Sequence, residues 1–274
     1  MTLELSFFDV RADQLHLFDL EGHYSVQFET FKLDMYFRPS DARQGFVFSP
    51  GFLDRGKFPV PYFQRIKWFD DLEGVGISLS DPTLNLHDDL RIGWFIGTQR
   101  DHYLREVGVF LGQLLAHLGI PPERTLFFGS SAGGFTSLGF AALLPGSQAF
   151  AVNPQTNVLR FHSIRDLGTI IQTSFRGMNV IGLEQRYQDR FDLIALFREA
   201  GHVPPFLIWQ NIFDLYHYER HLMPFLSELP ALKPSQPSRV EIAAMKEVGH
   251  NPPPLSVLKR YFDDIVSSWG STEP

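Results

Sequence analysis

The chain has 274 residues, 44% of them hydrophobic and 20% charged, which is the composition of an ordinary globular protein built as one large α/β domain or two small ones. Its formal net charge of -7 comes without a basic block, so neither nucleic acid nor an anionic membrane surface is an expected partner. There is no cysteine, which excludes disulfides, thiolate metal sites and a cysteine nucleophile. The N-terminus, MTLELSFFDV, lacks the basic start and long apolar core of a signal peptide, and no segment has the apolar length to cross a bilayer. The plain expectation is a soluble cytoplasmic protein. The 27 phenylalanines are more than usual, and core filling is their simplest use, ahead of an apolar acyl pocket or stacking on sugar rings.

In chain order, residues 3–8, 15–20, 24–28 and 31–37 read as short strands separated by turns such as Glu21-Gly22-His23. Such close spacing predicts an antiparallel start to a sheet. From Gly45 the texture changes to short apolar runs at 46–48, 75–79, 126–128, 149–152, 206–209 and 240–245, alternating with helical stretches. That alternation is the mark of βαβ units and a parallel sheet. The run 92–96 fits a strand or a buried turn equally. Helices are predicted over 102–118, ended by Gly119 and Pro121-Pro122, and over 132–144, 216–229 and 255–269. Residues 153–205 hold no convincing buried strand, only helical pieces at 164–175 and 190–200. An insertion of this size between two strands predicts a lid or cap over 157–204 within one domain spanning 1–274. Its apolar residues Ile170, Ile171, Phe175 and Met178 are expected to wall the site. The stretch 233–238 reads as a short surface connection before the last strand.

The chemistry concentrates in Gly129-x-Ser131-x-Gly133, which follows an apolar strand and opens a helix, the two contexts that a nucleophile elbow requires. The chain reverses there so sharply that side chains at 129 and 133 are expected to collide with backbone, while the serine projects at a helix N-terminus. Ser130, at the variable position, is expected to point elsewhere. An acid should follow the nucleophile and a histidine come last. Asp214 sits in the loop after the strand at 206–209, where it also suits a helix N-cap. His250 lies in Glu247-Val-Gly-His-Asn251, just after the last strand. Asp189 and Asp192 are weaker candidates for the acid because they fall inside the presumed lid. His217 and His221 are four apart on one helix, but without HExxH or a third ligand they read as a solvated face. No metal or cofactor site is expected.

In this arrangement His250 takes the proton from Ser131, Asp214 orients the imidazole, and Ser131 attacks a carbonyl to form an acyl-enzyme. Two preorganised donors should hold the oxyanion. One is the backbone N–H of Ala132. The other comes from Ser49-Pro-Gly-Phe-Leu53, with the amide of Phe52 favoured and Gly51 the near alternative.

The elbow, the order Ser131, Asp214, His250 and the alternating texture of 45–269 resemble the α/β-hydrolase superfamily. The resemblance implies a mostly parallel central sheet with antiparallel N-terminal strands, helices on both faces and a helical lid. Gly129-Ser-Ser-Ala-Gly-Gly-Phe135, Ala151-Val-Asn-Pro-Gln-Thr156, Ser80-Asp-Pro-Thr83 and Gly93-Trp-Phe-Ile-Gly-Thr98 are similar to a branch associated with bacterial surface-polysaccharide biosynthesis. The first forty residues and 157–205 lie outside the resemblance, and Ser49-Pro-Gly-Phe52 stands where lipases carry His-Gly-Gly-Gly. The expected activity is hydrolysis of an ester or related acyl bond on a small-molecule or glycan substrate. The same triad serves acyl transfer in surface-glycan modification, and a third reading is a non-catalytic scaffold that kept the fold.

Overall fold

A computed structural model describes residues 6–234 and 237–269. Nine strands form one sheet: β1 (Phe7–Arg11), β2 (Gly22–Gln27), β3 (Lys32–Arg38), β4 (Gly45–Phe48), β5 (Val75–Leu79), β6 (Thr125–Ser130), β7 (Gln148–Val152), β8 (Phe206–Asn211) and β9 (Ser238–Ala243). Their order is β1-β2-β3-β5-β4-β6-β7-β8-β9. β3 runs antiparallel to both β2 and β5, and the strands from β5 across to β9 are parallel. β1 departs from the antiparallel expectation by pairing parallel with β2.

The main helices are α1 (Tyr103–His117), α2 (Ala132–Leu143), α3 (Ile164–Ser174), α4 (Val180–Arg186), α5 (Gln188–Phe191), α6 (Leu193–Ala200), α7 (Leu215–His217), α8 (Met223–Glu228) and α9 (Leu255–Trp269). A π-helical turn, Tyr218–Leu222, joins α7 to α8. No helix among the described residues is long and apolar enough to cross a membrane.

The strands sort their side chains with period two onto the two faces. Phe46, Phe48, Leu126, Phe128, Phe150, Val152, Leu207 and Trp209 form a core with Leu258, Tyr261 and Phe262 of α9. Their neighbours Val47, Phe127, Ala149, Ala151 and Ile208 face the other way, into the larger core with α1, α2 and α6. Phenylalanine therefore serves chiefly to fill the core. Small residues on β7 let α2 lie close: a Cβ on Gly134 would come within 2.8 Å of Pro154 and 3.4 Å of Ala151.

Two further expectations are corrected, and one open alternative is decided. The apolar stretch 15–20 is a 3₁₀ turn, Leu15–Leu17, because the Tyr24 hydroxyl donates to the carbonyls of Leu17 and Leu20 and gathers the segment over β2. Residues 92–96 are a buried turn in which Trp94 and Phe95 both take positive φ, 52° and 55°. The helical piece expected over 190–200 is broken by Asp192, whose carboxylate caps α6 at the Ala195 amide. Residues 3–5 of the first expected strand, and Ser235 and Gln236 of the 233–238 connection, lie outside the described residues.

Candidate active site

Ser131 stands between β6 and α2 with φ 56° and ψ -119°, a positive-φ conformation that costs a non-glycine residue energy and is tolerated where surrounding structure enforces it. The enforcement is steric. A Cβ on Gly129 would lie 2.2 Å from the Gly133 carbonyl oxygen, and one on Gly133 would lie 2.5 Å from that of Ser49. The elbow thus packs directly on the loop that follows β4. Ser130 also lines the cavity, which differs from the expectation that it points elsewhere, and its hydroxyl is tied to the wall by accepting from Arg65 Nη2 at 2.7 Å.

At the end of β8, Asp214 is buried and caps α7, accepting from the His217 amide at 3.5 Å. The same carboxylate meets His250 Nδ1 at 2.6 Å through Oδ2 and His217 Nδ1 at 3.0 Å through Oδ1. Capping a helix and holding His250 are therefore two uses of one side chain. Burial alone would raise the Asp214 pKa, but the hydrogen bonds from His217 and His250 outweigh it and hold the carboxyl well below its usual range. The His250 ring stacks on that of His217, centroids 4.1 Å apart, and His217 stacks in turn on His221 at 5.1 Å. His217 and His221 are buried, which corrects the expectation of a solvated face. Desolvation keeps both neutral, pushing His221 down to about 3. Donor-type atoms of Asp214, His217 and His250 lie within 4.8 Å of one another. With each Nδ1–H turned to the carboxylate, this is a hydrogen-bonded cluster.

The His250 loop is stapled by two buried asparagines. Asn153 donates through Nδ2 to the His250 carbonyl at 3.0 Å, and its Oδ1 accepts the Asn211 amide at 2.7 Å. Asn211 Nδ2 donates to the carbonyls of Met245 and Gly249 at 2.7 and 2.8 Å. The imidazole is thereby fixed at Nδ1, while Ser131 and His250 line the same cavity of about 640 Å³. Among the described residues Ser131 Oγ makes no hydrogen bond to His250; its partner is Gln155 Nε2 at 3.4 Å.

Of the two expected oxyanion residues, Ala132 follows the serine in the chain and Phe52 lines the same cavity. The amides of Ala132 and Phe52 have no hydrogen-bond partner among the described residues, whereas that of Gly51 donates to Gln64 Oε1 at 3.3 Å. Helix α2 begins at Ala132, so its positive dipole end lies next to Ser131, which lines the cavity.

Sequence reasoning missed Gln155, His217 and Arg65 as site residues. Gln155 did lie in one of the motifs that carry the family resemblance. Its Oε1 accepts from the Trp94 indole at 2.5 Å, which fixes the amide so that its NH₂ faces Ser131. Trp94 is positioned by two more of those motifs: Asp81 accepts from the Thr83 and Phe95 amides, and a Cβ on Gly93 would lie 2.5 Å from Asp81 Oδ2. His217 carried one signal, its spacing of three from a capping Asp214. Arg65 carried none.

The segment 157–204 meets the cavity through Phe161, His162, Ser163 and Asp166. The residues expected to wall the site go elsewhere: Ile170 and Phe175 are in the large core, with Ile171 and Met178 packed against it.

No family profile and no curated protein matches this sequence. Solved structures do match by shape. The capsule O-acetyltransferase of Neisseria meningitidis serogroup A superposes with a TM-score of 0.67 at 16% identity, covering 91% of this chain and 96% of that one. An S-formylglutathione hydrolase from Agrobacterium tumefaciens gives 0.55 at 16% identity, covering 92% and 94%. An esterase from Thermogutta terrifontis gives 0.53 at 14% identity, covering 90% and 92%. The chain has the α/β-hydrolase fold.

Proposed function

We propose that the chain is a serine enzyme that cleaves an ester or related acyl bond through an acyl-Ser131 intermediate, with acylated carbohydrate as its substrate class. The observation that carries this reading is the shared cavity, where a strained serine at a helix N-terminus, a histidine locked by a buried carboxylate and Phe52 with its uncommitted amide line one space. In this reading His250 Nε2 accepts the Ser131 proton as Oγ attacks the acyl carbonyl. Asp214 stabilises the imidazolium, and the Ala132 and Phe52 amides hold the oxyanion. Collapse expels the alcohol, which takes the proton back from His250. A second oxygen nucleophile then gives up its proton to His250 as it attacks the acyl carbonyl, and on collapse His250 returns that proton to Ser131 Oγ as the acyl group departs. Gln155 keeps the serine hydroxyl in place between turnovers, and the segment 157–204 caps the mouth of the cavity.

Whether water or a sugar hydroxyl is the acceptor depends on what the cavity admits. Acyl transfer is favoured as the second reading by the higher TM-score against the capsule O-acetyltransferase, a mutant of which was solved with CoA. With 4-nitrophenyl acetate as donor, wild type should release nitrophenolate and Ser131→Ala should not. Adding an oligosaccharide should move the acetyl group onto sugar in the transferase reading and leave free acetate in the hydrolase reading. Equal release by wild type and Ser131→Ala would defeat both.

A further inference from the structure

Two arginines line the cavity, and their charges are met differently. Arg91 grips Asp166 with three hydrogen bonds of 2.8 to 3.0 Å. Burial would raise the Asp166 pKa, but the bonds from Ser163 and Arg91 outweigh it, so the pair is ionised and neutral overall. Arg65 has no carboxylate within ion-pairing distance among the described residues. Its Nη2 donates to Ser130 Oγ at 2.7 Å and its Nη1 to Gln64 Oε1 at 3.0 Å, both uncharged acceptors. Its guanidinium lies 5.5 Å from the Trp68 ring centre and 5.7 Å from that of Phe128. Desolvation pushes its pKa down to about 10.

A guanidinium offers five N–H donors in a planar fork, and these two bonds leave part of the fork without a protein acceptor. The backbone at Arg65 is also left-handed, φ 62° and ψ 21°, a conformation uncommon for a non-glycine residue. Among the described residues Asp166 is the one acidic residue on the cavity wall, and it belongs to Arg91. Arg65 is therefore the one charged side chain on the cavity wall, among the described residues, without an opposite charge beside it. A half-buried cation with no carboxylate opposite it, bonded to the neighbour of the nucleophile, has the chemistry to receive an anion.

We propose that Arg65 binds a phosphate or carboxylate of the substrate while the acyl carbonyl sits at Ser131, so that the enzyme acts on anionic rather than neutral acyl compounds. This rests on the reading of Ser131 as nucleophile. The anion has two possible carriers, the acyl donor or the glycan, and Arg65 reads the same chemistry in each.

The test compares two matched pairs, acetyl-CoA with S-acetylpantetheine and an O-acetyl hexosamine 1-phosphate with the same acetyl hexosamine lacking phosphate. Wild type should favour the anionic member of at least one pair, through KM. In Arg65→Gln that preference, as a ratio of kcat/KM, should fall by about 10- to 100-fold, the worth of one to two charge-assisted hydrogen bonds. Arg65→Lys should recover part of it. The affected pair identifies the carrier. Calorimetric binding of CoA and of hexosamine 1-phosphate to wild type and Arg65→Gln gives the same comparison without turnover. A dead Ser131 reading is thus distinguished from a dead anion subsite. No anion preference in wild type, or equal losses on both members of each pair with a matching thermal midpoint, would overturn the proposal.

Discussion

Two cavities of similar size lie at opposite ends of the sheet. The one of about 640 Å³ opens where β4, β6, β8 and β9 end, and the other, of about 540 Å³, sits where β7, β8 and β9 begin, walled by Gln148, Phe206, Ser238 and α9. Volume does not separate them; bonding does. In the second, the arginine on the wall, Arg239, meets Glu241 at 3.0 Å and Asp264 at 3.7 Å. In the first, the Phe52 amide has no hydrogen-bond partner among the described residues, and the Arg65 guanidinium meets only uncharged acceptors. The direction of the chain explains the difference. Parallel strands deliver their loops and the following helix N-termini to their carboxyl ends, so uncommitted N–H groups and positive dipole ends converge there. The amino ends receive helix C-termini and connections that close on themselves.

If that contrast is right, substitutions at one end of the sheet should stop chemistry and those at the other should not. The largest effects belong to Ser131→Ala and His250→Ala, each about 10⁶-fold in kcat. Asp214→Asn should cost roughly 10⁴-fold, because the imidazole keeps its place but loses its counter-charge. Arg239→Ala, in the other cavity, should leave ester turnover as it was. Steady-state assays on variants with matched thermal unfolding measure all four, and an Arg239 loss comparable to that of Asp214 would break the comparison. A smaller effect sharpens it. Gln155→Leu keeps the bulk of the side chain but removes the donor to Ser131 and strands the Trp94 indole N–H. Its bond is long, 3.4 Å, so a loss of about tenfold in kcat with little change in KM is expected. An unchanged kcat would reduce Gln155 to packing.

The elbow and the order of the three candidate residues were legible because each depends on a few adjacent residues. Gly129 and Gly133 are dictated by clashes within one turn, and Asp214 and His250 by the strands immediately before them. The features that escaped reading depend on which loops meet. His217 and His221 are polar residues at helical spacing, and polarity suggested water; the helix instead turns them toward Asp214 and Thr156, where they are buried. Leu215, between Asp214 and these histidines, is 60% exposed, the reverse of what hydropathy assigns. Arg65 precedes a 3₁₀ helix far upstream of the elbow, and its bond to Ser130 spans 65 residues that no local pattern can bridge. The three motifs around Asp81, Trp94 and Gln155 were visible as strings, but their purpose emerged only from their contact with one another.

The central claim is that Ser131 is an activated nucleophile, and labelling with a fluorophosphonate followed by peptide mass spectrometry tests it without knowledge of the substrate. Serine Oγ displaces fluoride from phosphorus only where a base takes its proton and an oxyanion site holds the phosphonyl oxygen. The account predicts a single phosphonylated residue, Ser131, in wild type and in Arg239→Ala, and labelling slowed by orders of magnitude in His250→Ala. Phosphonylation at Ser130 or another residue, or labelling of Ser131 at the same rate without His250, would contradict it.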